Sequence, residues 1–267
     1  MKPLIHFAHA NGVPSQVYQK LFDLLKDEYE VIYVPLLGTD KRYPIDNHWE
    51  SLTNQVIDSI VRQAKGRPVI GLGHSLGSVL TFQAALKRPE LFSQVIMLDP
   101  PLIMGKDGFA LHVAKLLKLK AVDRMSPAVL SLRRRDHWDS REQAAELLRP
   151  KGFYKDFDAD CFQAYIDYAL TEDKVRGGVE LTIPKMDEVK VFRTNPSLWW
   201  LPRKKIHLPI HLVVAEQSPF LPRRFPQMVK KKFGVPFSIT AGGHMFPLEH
   251  PVEVVKLVKE LIQQQAQ

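Results

Sequence analysis

The segment 68–77, PVIGLGHSLG, decides the fold, because an apolar run leads through a glycine-rich turn into a helical stretch. Its centre, Gly73-His74-Ser75-Leu76-Gly77, has the pattern G-x-S-x-G. The two glycines remove side chains that would collide with the neighbouring strand and helix, so a strained turn can form. The segment therefore predicts that Ser75 projects from a sheet near the positive end of a helix, as a nucleophile. A flexible turn with an incidental serine is the alternative.

Similar apolar runs recur along the chain and alternate with helical stretches. Continuous rather than alternating apolar runs are typical of strands that are covered on both faces of a parallel sheet. The pattern predicts a doubly wound α/β sheet. The predicted strands are 4–9, 31–36, 68–73, 94–98, 210–215 and 235–240, and the predicted helices 15–27, 49–65, 77–87 and 251–262.

The pattern changes between residues 101 and 206, where little strand character is found. Helical periodicity appears instead in 111–122, 143–148 and 160–170. We expect an α/β core, 1–100 and 207–267, that is interrupted by a helical cap, 101–206. The cap leaves and rejoins the core at the carboxyl ends of strands, where open sheets place their ligand sites.

A serine nucleophile needs a base and an acid that orients the base. His244 is the predicted base, since the glycine-rich loop 241–247 can carry it back over the sheet edge. Two residues that end strands compete for the acid, Asp99 and Glu216. We favour Asp99, because a shorter side chain requires fewer rotamers to be frozen.

Composition excludes several classes of protein. The 267 residues include 37 basic and 29 acidic side chains, a net charge of +8, and one cysteine, Cys161. A disulfide framework and a cysteine-rich zinc site are excluded, and no run reaches the ~18 apolar residues of a membrane span. The basic runs 133–135, 203–205 and 230–232 are scattered, which argues against nucleic-acid binding. No metal cluster or dinucleotide fingerprint appears. We expect a cytoplasmic enzyme without cofactor or metal; its oligomeric state stays open.

The three predicted catalytic residues occur along the chain in the order nucleophile, acid and histidine. With this order, the chain resembles the α/β-hydrolase superfamily. The opening 7–12, FAHANG, resembles the superfamily's oxyanion loop, which implies that the N–H groups of Asn11 and Leu76 receive the oxyanion. Most members take their acid from a G-x-x-D pattern after the next-to-last strand, where this chain has Ser218 in place of the aspartate; this difference supports Asp99. Segments 134–141 and 153–170 resemble the cap of a poorly characterised bacterial and fungal subgroup.

The resemblance implies hydrolysis of a small or medium apolar carboxylic ester through an acyl-enzyme. Epoxide hydrolases of this fold use an aspartate nucleophile, whose place Ser75 occupies. Thioesterase, lactonase, C–C hydrolase, lyase and perhydrolase chemistry remain open, as does a ligand receptor that retains the triad. Met245 and Phe246 are expected to line an apolar pocket, and the arginines 133–135 to lie on the cap surface. The cap residues considered for the same pocket are Leu111, Leu116, Leu117, Trp199 and Trp200.

Overall fold

Six parallel strands form the central sheet of the protein, whose computed structural model describes residues 1–119, 121–124, 126–199, 201 and 207–265. These strands are β1 (Leu4–Ala8), β2 (Glu30–Tyr33), β3 (Val69–His74), β4 (Phe92–Leu98), β8 (Ile210–Ala215) and β9 (Phe237–Thr240). Three shorter strands, β5 (His137–Trp138), β6 (Leu170–Glu172) and β7 (Val179–Leu181), lie between β4 and β8 along the chain.

The strand order in the central sheet is β2-β1-β3-β4-β8-β9. The chain steps outward from β1 to β2, returns to β3 on the other side of β1, and then continues outward. The carboxyl ends of β1 and β3 therefore lie side by side where the direction of winding reverses, which is where α/β sheets bind ligands. The α/β fold with a parallel sheet is confirmed.

Helices cover both faces of this sheet. They are α1 (Gln19–Leu25), α2 (Glu50–Ala64), α3 (Leu76–Lys87), α10 (Phe225–Phe233), α11 (Phe246–Glu249) and α12 (Pro251–Gln265). Short 3-10 segments occur at Ser15–Tyr18, Asn47–Trp49 and Pro89–Leu91. Alternate residues of one strand contribute to different apolar clusters, as period-two geometry requires. In β4, for example, Ile96 and Leu98 join one cluster, and Val95 and Met97 join the other.

The segment 101–206 contains helices and also the three-stranded antiparallel sheet β5-β7-β6, which the sequence did not reveal. Strands of two or three residues are too short to show a period. The helices are α4 (Gly105–Leu116), α5 (Ala121–Arg124), α6 (Ala128–Arg133), α7 (Arg141–Leu148), α8 (Ala159–Tyr168) and α9 (Lys185–Arg193). Trp200 and the basic run 203–205 lie outside the described residues.

This segment packs firmly onto the sheet and its helices. Tyr165 of α8 shares an apolar cluster with Tyr18 and Phe7 of the N-terminal region. Asp158 accepts a salt bridge from Lys20 at 2.8 Å, and its N–H donates to the carbonyl of Leu248 at 2.8 Å. The segment 101–206 and the elements around the central sheet therefore share buried surface. None of the described helices has the length and apolar character needed to span a bilayer.

Candidate active site

Ser75 follows β3 directly and precedes the first residue of α3, in a strained conformation with φ 52° and ψ −113°. The flanking glycines explain how the turn can exist. A Cβ on Gly73 would lie 2.5 Å from the backbone of Gly77, and one on Gly77 would lie 2.0 Å from the carbonyl oxygen of Ala8. Because neither glycine carries a side chain, β1, β3 and α3 can approach closely and hold Ser75 at the carboxyl edge of the sheet.

The structure brings the three predicted triad residues together. His244 Nε2 lies 2.9 Å from Ser75 Oγ, and His244 Nδ1 lies 2.6 Å from Asp99 Oδ2. Ser75 and Asp99 are 9% and 1% exposed, whereas the side chain of His244 is 30% exposed. An ionised carboxylate only accepts hydrogen bonds, so Nδ1 carries the proton and Nε2 is free to accept from the serine hydroxyl.

Asp99 is held rigidly where β4 ends. Its N–H donates to the carbonyl of Val213 at 2.8 Å, and its Oδ1 accepts a long hydrogen bond from the N–H of Ala215 at 3.4 Å. Glu216, the competing acid, is exposed at the end of β8. The contact with His244 is therefore made by the residue that was favoured from the sequence.

The two predicted oxyanion donors belong to different elements: Asn11 lies in the loop after β1, and Leu76 is the first residue of α3. The N–H of Gly77 donates to the carbonyl of His9 at 3.0 Å, which brings the loop after β1 against the start of α3. Asn11 is fixed in that loop by a hydrogen bond from its Nδ2 to the carbonyl of Glu188 at 3.0 Å. Within the described part of the chain, the N–H groups of Asn11 and Leu76 have no acceptor. The N–H of Ser75, by contrast, is occupied by the carbonyl of Leu98 at 2.9 Å.

A buried chain of polar groups lies behind the triad and was not found from the sequence. The N–H of Ala10 donates to the hydroxyl of Tyr18 at 3.4 Å, and this hydroxyl donates to Nδ1 of His74 at 2.7 Å. Nε2 of His74 donates to the carbonyl of His244 at 2.9 Å. Burial lowers the pKa of His74 to about 3 and raises that of Tyr18, so both side chains are uncharged at neutral pH. The chain thus connects the loop after β1 to the loop that carries His244.

The residues predicted to line a pocket lie in different environments. Met245 and Phe246 are buried, and Phe246 packs edge-on against the His74 ring with centroids 6.4 Å apart. Phe220, which the sequence did not single out, packs edge-on against His244 at 5.8 Å. In the cap, Leu111 and Trp199 are buried, whereas Leu116 and Leu117 are exposed to solvent.

The three arginines at 133–135 also differ from one another. Arg133 and Arg135 are exposed, as predicted for the cap surface. Arg134 instead turns inward, with its Nη1 2.9 Å from Oε2 of the buried Glu188.

No set of three or more His, Cys, Asp or Glu side chains that could hold a metal ion occurs among the described residues.

Comparisons with known proteins agree with this fold. A family profile described as "Alpha/beta hydrolase family" matches residues 7–257, and the chain belongs to that family. Among solved structures, E-2-(acetamidomethylene)succinate hydrolase superposes with a TM-score of 0.76 at 19% identity, covering 98% of this chain and 92% of that one. The thioesterase domain from the curacin biosynthetic pathway gives 0.71 at 18% identity, covering 96% and 91%.

Curated relatives match more weakly in sequence. The type I acyl-CoA thioesterase mpaH of Penicillium brevicompactum is 23% identical over 216 residues, which cover 68% of this chain and 47% of the relative. The uncharacterized hydrolase YugF of Bacillus subtilis is 31% identical over 84 residues, or 30% of each chain. The chain thus matches about half the length of the thioesterase. The structural similarities, all below 25% identity, support the fold.

Proposed function

We propose that the protein is a serine hydrolase that transfers the acyl group of a carboxylic ester to water. Ser75 is the nucleophile, His244 the general base and acid, and Asp99 the residue that orients the imidazole. The observation that carries the proposal is the continuous hydrogen-bonded series from Ser75 Oγ through His244 to Asp99, at 2.9 and 2.6 Å. Family membership supports it.

In the first half-reaction, Ser75 Oγ attacks the carbonyl carbon of the ester and transfers its proton to His244 Nε2. The carbonyl oxygen becomes an oxyanion that the N–H groups of Asn11 and Leu76 stabilise, each donor contributing about 10²–10³ in rate. His244 then gives the proton to the departing alcohol oxygen as the C–O bond breaks. The imidazolium formed on the way is stabilised by the carboxylate of Asp99.

In the second half-reaction, His244 removes a proton from water, and the resulting hydroxide attacks the acyl-enzyme. The second oxyanion collapses, the acid leaves, and the proton on His244 returns to Ser75 Oγ. Every proton is transferred through Nε2, so the fixed Nδ1–Asp99 contact need not change during turnover.

Thioester hydrolysis is the second candidate, and the names of two similar proteins favour it. The relative from Penicillium brevicompactum is named an acyl-CoA thioesterase, and one structural neighbour is a thioesterase domain. The same residues serve both reactions. A thiolate leaves more readily than an alkoxide because a thiol is the stronger acid, so thioesters depend less on proton donation by His244.

The test combines covalent labelling with turnover. A fluorophosphonate should label Ser75, and ethyl butyrate and butyryl-CoA should be hydrolysed in proportions that identify the preferred leaving group. Ser75→Ala should abolish labelling and reduce turnover at least 10³-fold. Ser93→Ala, which changes an exposed serine of β4, is the matched control. Labelling at a different serine, or full activity of Ser75→Ala, would refute the proposal.

A further inference from the structure

The outward face of α4 is apolar, although this helix lies on the surface of the cap. Leu116 and Leu117, which the sequence suggested for the pocket, are 71% and 61% exposed, and Leu119 just beyond the helix is 46% exposed. Single exposed apolar side chains are normal on a protein surface, whereas a contiguous group of them marks an interaction site. The proposed catalysis does not explain why these leucines face solvent.

The helix period shows that the exposed apolar residues form a continuous stripe. The buried residues of α4 are Gly108, Leu111 and Ala114, which recur every three positions along one face. The opposite face carries apolar residues that are exposed or half-buried, here called the α4 stripe: Phe109, Ala110, Val113, Leu116 and Leu117. The α4 stripe extends about 12 Å along the helix axis.

Cations lie at both ends of the α4 stripe. Lys106 lies on the same face near its start, and Lys118 follows its last residue; both lysines are exposed. Asp107 is the only acidic residue in the sequence between 100 and 122, and its Oδ2 lies 3.1 Å from Nη1 of Arg223 in an ion pair. The surroundings of the α4 stripe are therefore positively charged.

The neighbouring helix α10 adds positive charge beside the start of α4. Met228 of α10 lies so close to Gly105 that a Cβ on this glycine would be 3.2 Å from the methionine Sδ. Lys231 follows Met228 by three residues, so it shares the same face of α10, and it is exposed. The sequence from 217 to 248 contains five basic residues and no acidic one. The α4 stripe and this face of α10 thus form an apolar surface with a basic rim.

We propose that the α4 stripe docks on an anionic lipid surface, with α4 lying in the plane of the interface. A helix with one apolar face and lysines beside it binds at the boundary between headgroups and acyl chains, without spanning the bilayer. The negative potential of such a surface attracts each cation of the rim. A second copy of the chain fits less well, because a symmetric contact between two stripes would bring their basic rims together. The proposal concerns binding and goes beyond the proposed function.

Co-sedimentation with sucrose-loaded vesicles measures this docking directly. The two vesicle preparations are phosphatidylcholine alone and phosphatidylcholine mixed with phosphatidylglycerol at about 3:1. Affinity for the mixed vesicles should exceed that for phosphatidylcholine by about 25-fold, since Lys106 and Lys118 contribute about fivefold each near an anionic surface. The difference should decrease as added salt screens the charges.

Two leucines test the apolar part of the surface. Leu116→Gln/Leu117→Gln should weaken binding to the mixed vesicles about 10- to 100-fold, because both side chains lose the gain from leaving water. The control Val61→Gln/Val252→Gln changes two apolar residues of α2 and α12 that are 49% and 54% exposed, and it should bind like the unmodified protein. All four side chains are exposed, so we expect both variants to fold, which circular dichroism checks.

Two lysines test the charged part of the surface. Lys106→Gln/Lys118→Gln should lower the affinity for the mixed vesicles about 25-fold and reduce its dependence on salt. The control Lys65→Gln/Lys256→Gln removes two exposed cations outside the surface and should have little effect. Lys65 is a close match for Lys118, since both have φ 51° at the end of a helix.

Sedimentation velocity without lipid tests whether a second copy covers the α4 stripe instead. Self-association that Leu116→Gln/Leu117→Gln abolishes would assign the stripe to an interface between copies and overturn the proposal. Equal binding to the two kinds of vesicle, absence of binding to both, or equal losses in the control variants would also overturn it. None of these measurements needs ester turnover, so their outcome is separate from that of the proposed function.

Discussion

His6, His9 and His74 have no solvent exposure, and burial lowers their pKa values to about 3, 4 and 3. In the unfolded chain each returns to about 6.5 and binds a proton below that pH. The unfolded state therefore binds more protons than the native state between pH 6.5 and about 4, and stability rises with pH across this range. The stabilisation is complete above pH 6.5 and is lost as the pH falls towards the folded pKa values.

The magnitude follows from the same values. At pH 5 a histidine with an unfolded pKa of about 6.5 contributes about 2 kcal/mol of destabilisation relative to pH 8, so three contribute about 6 kcal/mol. Domains of ordinary stability unfold with about 5–15 kcal/mol. The buried histidines alone can therefore bring the protein close to unfolding at pH 5, before carboxylates are protonated.

The variant His74→Gln tests this origin directly. A glutamine amide can replace the donor to the His244 carbonyl, but it does not titrate. Urea unfolding, followed by fluorescence at half-unit steps from pH 5 to 8, gives the slope of stability against pH. That slope should decrease by about one third in His74→Gln and remain unchanged in His250→Gln, which alters an exposed histidine. A flat profile in the unmodified protein from pH 8 to 5 would refute the linkage.

Three further predictions, each with a control or comparison variant, test the proposed site. Asp99→Asn should lower kcat by about 10⁴, as expected when a triad loses the carboxylate that fixes the tautomer; Glu216→Gln should change kcat less than twofold, and the reverse ranking would assign the acid to Glu216. Gly77→Ala should unfold the protein or destabilise it by about 3 kcal/mol in urea melts, because its methyl group would lie 2.0 Å from the carbonyl oxygen of Ala8, the last residue of β1. Gly152→Ala, with open space around it, should be neutral. His74→Asn should lower kcat about tenfold at constant KM, since it cannot reach the His244 carbonyl, and His74→Gln should recover most of the loss; equal kcat in both variants would contradict the positioning role.

The central sheet could be predicted because its strands are covered on both faces and therefore appear as continuous apolar runs. The predicted strand 210–215 coincides with β8, and the other five strands differ by one to three residues at their ends. The helix α10 was not predicted, since it lies in a segment rich in proline and lysine between two predicted strands. Its buried face consists of only Phe225, Pro226 and Val229.

The triad contacts could be anticipated because Ser75, Asp99 and His244 each lie in a local pattern that follows a predicted strand. Tyr18 and Phe220 carry no such pattern, and their proximity to the site arises only from tertiary packing. Arg134 illustrates the same limit within a single run. The sequence does not distinguish it from Arg133 and Arg135. Of the three, only Arg134, the first residue after α6, directs its side chain inward to Glu188.

Backbone strain at the site coincides with the two residues that we propose to react or to orient. Ser75 and Asp99 both have positive φ, 52° and 44°, a conformation that costs non-glycine residues about 1–3 kcal/mol. Each is the first residue after a parallel strand, and each donates its N–H to the adjacent strand, to Leu98 at 2.9 Å and Val213 at 2.8 Å. These bonds extend the hydrogen bonding one residue beyond β3 and β4, and so fix both reversals of the chain. Neighbouring strand ends that bend in this way aim a hydroxyl and a carboxylate at the same imidazole, and the rigidity of the sheet sustains the strain.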